Sequence, residues 1–303
     1  MVRTLLLDAI DYAGLFPPAQ LDMPGAVAEY ASYLESNDAW ALGRFVVPAT
    51  RLEELAIAAA DALDGDPASL GGRRDPWRLS ALLGADIAAD VERVLVFNAS
   101  HDVDDDRWWG RVQSIELRAS TPDAIAEALR VVPADFERFV EIPVVGETRA
   151  LVRAIGRAGG RAKVRTGGTT VDAFPTSDEL VRFLAACVTE HVPFKATAGL
   201  HHPLRGDYPL TYAADSEHST MYGFLNVFLA AALLHGGESE AVARQALEEQ
   251  QSAAFQFDDN GVAWRGRRLS SQQLLATREL AMRSFGSCSF REPLDDLASL
   301  GLL

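Results

Sequence analysis

The chain has 303 residues and carries 43 acidic against 28 basic side chains, a formal net charge of −15. Its apolar fraction of 48% and charged fraction of 23% are those of a folded globular protein, and they exclude a disordered or collagen-like chain. The acidic excess argues against nucleic acid or an anionic membrane as a partner, because both need a basic face.

The first 40 residues precede the first clear strand. They hold DYAGLFPPAQLDM at 11–23, with a Pro-Pro turn, and then a stretch at 24–34 that predicts a helix. They read as an N-terminal extension packing on the rest of the chain, either plugging the bottom of the barrel, the favoured reading because such plugs serve stability, or folding over its active end. No basic region followed by an apolar core opens the chain, and Asp8 and Asp11 interrupt it. No signal peptide is expected, and the expected compartment is the cytoplasm.

From residue 42 the pattern alternates. Strands are predicted at 42–49 (LGRFVVPA), 77–84 (WRLSALLG), 112–118 (VQSIELR), 138–144 (RFVEIPV), 161–165 (RAKVR) and 192–198 (VPFKATA). Helices are predicted at 51–63, 86–97, from Thr121, at 148–158 and at 178–191. Thr121 with Pro122 gives one helix a clear start, Gly159-Gly160 closes another, and Ser177 reads as a cap. The Gly/Asp-rich stretch 64–75 and the acidic run 102–106 read as loops. After residue 200 the rhythm loosens: a loop over 201–220, helices at 222–234 and 240–249, a seventh strand at 253–257, a helix at 272–283 and an eighth strand at 285–290. The apolar run 224–234 is broken by Asn226 and is too short to span a membrane.

Eight such units predict an α/β fold, a single (β/α)8 TIM-type barrel forming one domain over 1–303. The alternative is an open doubly wound sheet. Neither G-x-G-x-x-G after the first strand nor G-x-x-x-x-G-K-[ST] anywhere supports it.

One division inside the charge count points to chemistry. Of the 28 basic residues 26 are Arg, and the only lysines are Lys163 and Lys195. Arg stays protonated, whereas a buried Lys can lose its proton and act as a nucleophile or base. Both lysines fall on predicted strands, and barrel catalysis is built at the C-terminal ends of strands. Side chains alternate along a strand, so Glu116 shares a face with Arg118, Lys163 with Arg165, and Lys195 with Thr197. With Glu141 on the intervening strand, charges of both signs would converge where a structural core would carry Val, Ile and Leu. Lys195 is the stronger nucleophile candidate, with Lys163 or Arg165 expected to lower its pKa.

Other groups sit beside these. Gly167-Gly168, next to Arg165 and Thr166, can present backbone N–H groups to an anion. His201 or His202 could act as a general acid/base, only one facing the site unless the loop turns, or could ligate a metal with Glu141, Asp207 or His218. Asn226, odd on an otherwise apolar helix, reads as a helix-packing hydrogen bond rather than a catalytic group. Ser287 and Ser289 share a face suited to lining a pocket, which leaves Cys288 as buried packing; the alternative, a Cys/His nucleophile, has no signature around it. Cys187 and Cys288 match no zinc or redox spacing. No G-x-S-x-G indicates a serine hydrolase.

KATAGL at 195–200 resembles the K-x-[ST]-x-G strand motif of Schiff-base aldolases of the deoxyribose-phosphate aldolase type, in which the Lys forms an imine. KVRTGG at 163–168 resembles the second lysine motif of that family, here in reversed order. Glu116-Leu117-Arg118 resembles the corresponding strand of type I dehydroquinases. DYAGLFPPA, FKATAGLHHP and SFGSCSFREP together resemble a set found in bacterial proteins of no assigned activity.

The expectation is a cofactor-independent lyase or aldolase. Lys195 would form the imine, and Lys163, Glu116, Glu141 and His201 would move protons. Arg118, Arg165, Thr166, Gly167, Gly168, Thr197, His202, Ser287 and Ser289 would bind a small anionic carbonyl substrate. Acidic barrels commonly pair, so a homo-oligomer is compatible. The alternatives are a metal-assisted lyase or hydrolase using His201 or His202 with carboxylates, and a non-catalytic ligand-binding barrel.

Overall fold

The computed structural model describes residues 2–62, 76–101 and 110–303. The predicted loops at 64–75 and 102–106 both lie outside them. Helix α1 (Val2–Leu6) leads into strand β1 (Ile10–Tyr12) and helix α2 (Met23–Glu35). Beyond it come, in regular alternation, β2 (Leu42–Pro48), α3 (Leu52–Ala62), β3 (Trp77–Leu82), α4 (Ile87–Ser100), β4 (Gly110–Arg118), α5 (Pro122–Val131), β5 (Glu137–Glu141), α6 (Thr148–Arg157), β6 (Arg161–Arg165), α7 (Ser177–Thr189) and β7 (Phe194–Thr197). A hairpin, β8 (Gly206–Pro209) with β9 (His218–Met221), precedes α8 (Phe224–His235) and α9 (Glu240–Leu247). A small antiparallel sheet, β10 (Phe255–Asp258), β11 (Gly261–Trp264) and β12 (Arg267–Ser270), leads to α10 (Ser271–Leu280), β13 (Met282–Ser287) and α11 (Arg291–Ser299).

Eight parallel strands, β1 to β7 and β13, close into a barrel. The protein is a (β/α)8 barrel, as the alternation predicts. Two strand assignments differ. Residues 253–257 contribute to β10, which pairs with β11 outside the barrel rather than forming its seventh strand. The missing strand is β1, where Ile10 lies opposite both Leu42 and Phe285. Its three residues are all buried, so no alternation marks it. The first 40 residues therefore begin the barrel rather than extend it. Residues 13–18 lie beyond the C-terminal end of β1 and reach the mouth, where Phe16, Pro17 and Pro18 line a cavity, not the bottom.

Local chemistry explains most of the element boundaries. Thr121 caps α5 by accepting from the Ala124 N–H at 3.2 Å, with Pro122 in the first turn. The cap of α7 is Thr176, not Ser177, because Thr176 and Glu179 complete a reciprocal capping box. The expected loop 201–220 folds into the β8–β9 hairpin. Helix α8 is buried on nearly every side, packed against α7, α9 and α10. Asn226 on it is a packing residue, as its place in an apolar helix suggests. Its Oδ1 accepts from the Arg205 N–H, and its Nδ2 donates to the carbonyls of Ala246 and Glu249, each at 2.8 Å.

The barrel interior is layered along β5. Glu137, at the strand's start, gathers Arg44, Arg161 and Arg283 at 3.2–3.3 Å. Phe139 comes next, its ring centroid 5.4 Å from Lys195 Nζ. Glu141 ends the strand beside Lys163. No helix among the described residues is long and apolar enough to cross a membrane.

Candidate active site

Five strands bring a chain of charges together. Lys195 on β7 donates to Asp11 Oδ2 and to Glu116 Oε1, both at 2.6 Å. The other oxygen of Glu116 faces Lys163 Nζ at 2.7 Å, and Lys163 also meets Glu141 Oε2 at 2.9 Å. Arg118 Nε closes the chain at 3.0 Å from Glu141 Oε1. Strand register sets this arrangement, since Glu141, Lys163 and Lys195 are direct partners across β5, β6 and β7. The three carboxylates balance Lys163, Lys195 and Arg118, which makes burial of the ions tolerable.

Hydroxyls and backbone fix the carboxylates. Ser80 donates to Glu116 at 2.7 Å, and Ser284 donates to Asp11 at 2.7 Å. The Arg44 N–H donates to the second oxygen of Asp11 at 2.8 Å. Gly43 makes room for this carboxylate, because a Cβ there would lie 2.4 Å from Asp11 Oδ1.

The charges set the protonation states. Burial alone would push the Glu116 carboxyl up, but Lys163 and Lys195 outweigh it and hold it well below its usual range. Burial pulls the Lys195 ammonium down, yet Asp11 and Glu116 outweigh that and leave it above its ordinary value. The lowering expected from Lys163 does not appear, because the charge of Lys163 is absorbed by Glu116 and Glu141.

Above the lysines lies a cavity of about 340 Å³. All three same-face pairs line it: Glu116 with Arg118, Lys163 with Arg165, and Lys195 with Thr197. Arg118 and Arg165 stand at its rim, their side chains 66% and 48% exposed. Gly168 also lines it. Glu141 stands behind Lys163 and faces an adjoining open cleft, which shares both rim arginines.

Four expected binding residues do not line the cavity. Thr166 is fully buried and donates to the Ala198 carbonyl at 2.5 Å, tying β6 to the turn after β7. Gly167 packs under Phe174, whose ring would lie 2.3 Å from a Cβ there. Ser287 is turned toward His201, and Ser289 Oγ accepts from the Glu292 N–H at the start of α11. Cys288, expected to pack away, lines the cavity instead.

Both histidines also line the cavity, because the chain turns through two left-handed residues, Ala198 (φ 59°) and Gly199 (φ 73°). A side chain at 199 would crowd the Gly167 backbone at 3.0 Å. His201 Nδ1 lies 3.1 Å from Ser287 Oγ and 3.4 Å from Glu292 Oε2. Burial would lower its pKa, but Cys288 and Glu292 raise it to about 9. His202 pairs with Asp296 at 2.6 Å and stacks on Tyr208. His218 pairs instead with Asp207 on the exposed hairpin. Among the described residues no three His, Cys, Asp or Glu side chains converge as metal ligands.

Asp11, which completes the Lys195 environment, is not among the residues the sequence pattern singles out. The available signal was a carboxylate inside the apolar stretch around Ile10 and Tyr12. No protein-family model, no curated protein and no solved structure matches the chain.

Proposed function

We propose that the protein is a Schiff-base lyase of the aldolase kind, acting on a small carbonyl compound that bears a carboxylate or phosphate. One arrangement supports this: two buried lysines at the same register of adjacent strands, joined by one carboxylate beneath a cavity. Apolar residues of similar volume would fill the barrel at less cost, so a purely structural role leaves the cluster unexplained.

Lys195 is the imine-forming amine. At rest it is an ammonium between Asp11 and Glu116. When a carbonyl compound enters, Asp11 takes one proton and the freed amine attacks the carbonyl carbon. The carbonyl oxygen leaves as water, carrying two of the three original ammonium protons. The protonated imine that remains bears the same single positive charge as the ammonium. Asp11 and Glu116 therefore stabilise it as they stabilised the resting lysine. The imine draws electrons from the neighbouring carbon, so a C–C or C–O bond there can break without a cofactor. Glu116, held between both amines, and Lys163 behind it relay protons. Arg118 and Arg165 hold the anionic group at the rim.

Borohydride reduction in the presence of pyruvate or glycolaldehyde phosphate tests this. The expected product is a secondary amine on the Lys195 peptide, detected by mass, and absent from a Lys195→Arg variant that keeps the charge. Adducts confined to Lys163, or equal trapping in Lys195→Arg, would refute the assignment of Lys195.

A further inference from the structure

The lysine chemistry makes no use of a second polar cluster in the same cavity, beyond the end of β13. Cys288, His201, Tyr212 and Glu292 all line the cavity there. Cys288 Sγ lies 3.4 Å from the Tyr212 hydroxyl and 3.9 Å from His201 Nδ1. Glu292 reaches both His201, at 3.4 Å, and the Tyr212 hydroxyl, at 3.2 Å. The sulfur thus faces the imidazole and the Tyr212 hydroxyl, and one carboxylate braces both. That is the environment of a thiolate paired with an imidazolium. The protonation directions agree. Burial pushes the Cys288 thiol up, but His201 first, and then Tyr212 and the Ala19 backbone, together outweigh it and the net shift is downward, while His201 rises to about 9.

We propose that Cys288 is a second covalent centre of this cavity, whose thiolate, paired with His201, takes a small aldehyde as a thiohemiacetal. The sulfur lone pair forms the S–C bond, and the carbonyl π pair moves onto oxygen. His201 gives that oxygen its proton and becomes neutral. No oxidant, reductant or leaving group is needed, and the step is reversible. Glu292 holds His201 in its proton-donating state, and the Tyr212 hydroxyl holds the sulfur in place. The step uses neither lysine, so it stands or falls separately from the imine chemistry.

The chain supplies its own control, because its only other cysteine, Cys187, is buried in α7 with its thiol pushed well above the ordinary value by burial alone. In a Cys187→Ala variant, absorbance at 240 nm reads the Cys288 thiolate alone. A thiolate step below the ordinary thiol value of about 8.5 is expected, moving upward in Cys187→Ala/His201→Asn. At pH 6, iodoacetamide should alkylate Cys288 at least ~5-fold faster than it alkylates glutathione, after allowing for the weaker nucleophilicity of a low-pKa thiolate. Millimolar glycolaldehyde should slow that alkylation, and equally so in a Lys195→Arg chain. A thiolate step at or above the ordinary value would overturn the proposal. So would a rate indifferent to glycolaldehyde, or protection that disappears with Lys195→Arg. Borohydride trapping on Lys195 reports the imine chemistry independently of each of these outcomes.

Discussion

Glu116→Gln is the most exacting perturbation of the charge chain. The carboxylate offers one oxygen to each lysine, at 2.6 and 2.7 Å, and a third contact to Ser80. An amide of the same size keeps one oxygen and turns an NH2 toward the other ammonium, donor against donor. Counted with Arg118 at the exposed rim, the balance of three carboxylates and three cations becomes an excess of one positive charge over the cluster. Removing one partner of a buried ion pair costs about 3–5 kcal/mol, and this loss is expected in urea denaturation at pH 7. Adding Lys195→Met removes the surplus charge, so the double variant should be more stable than Glu116→Gln alone. A loss under about 1 kcal/mol, or a double variant no more stable than the single, would refute the coupled geometry.

The pH dependence has a definite sign. Glu116 titrates in the folded state below its ordinary value of 4.5, so its contribution is complete above that value and is lost as pH falls toward the folded value. Lys195 titrates above its ordinary 10.5, so its contribution is complete below that value and is lost as pH rises through the folded value. The stability gap between the parent chain and Glu116→Gln should therefore be flat between these limits and narrow at both ends. A gap that peaks sharply near neutrality would mean that another group controls it.

Three further changes probe the supports. Gly43→Ala places a Cβ 2.4 Å from Asp11 Oδ1 and 3.0 Å from the Ile10 backbone, and such overpacking should cost ~1–3 kcal/mol by urea denaturation. Asn226→Leu removes the partner of the Arg205 N–H and of the Glu249 carbonyl and one of the partners of the Ala246 carbonyl, an expected loss of ~2–5 kcal/mol by thermal and urea unfolding. His201 titrates at about 9 in the folded protein against an ordinary 6.5, so its stabilisation is complete below 6.5 and is lost as pH rises through 9. The stability difference from His201→Gln should shrink between these values, and growth instead would show that His201 is buried neutral.

How much of this could be seen in the sequence depended on how far each residue obeys a local period. The strands β2 to β7 alternate with helices, some with visible caps, so their order and the closed barrel followed from alternation. The pairs Glu116 with Arg118, Lys163 with Arg165 and Lys195 with Thr197 followed from the two-residue period of a strand, and each lines the cavity. Periodicity fails in two kinds of place. One is a strand buried on both faces, such as β1, whose three residues carry no pattern. The other is the turn beyond a strand's end. Ala198 and Gly199 redirect both histidines to the cavity, and the chain beyond β13 brings Cys288 to the cavity while turning Ser287 toward His201.

Charge could have located what periodicity missed. Two buried lysines beside Glu116 and Glu141 reach neutrality only if both glutamates are wholly committed to them. Arg118 already claims one oxygen of Glu141, so a further carboxylate is needed, and it must approach Lys195 from the side away from Glu116. Strand β7 has β6 on one side and β13 on the other, with β1 next beyond β13. A third carboxylate must therefore come from one of the last strands to close the barrel, and Asp11 on β1 is that residue. Its side chain bonds to β2 through the Arg44 N–H, to β13 through Ser284 and to β7 through Lys195. The second carboxylate on Lys195 is thus supplied by the strand that lies between the second and the last, so the pair Asp11–Lys195 spans the point where the barrel closes.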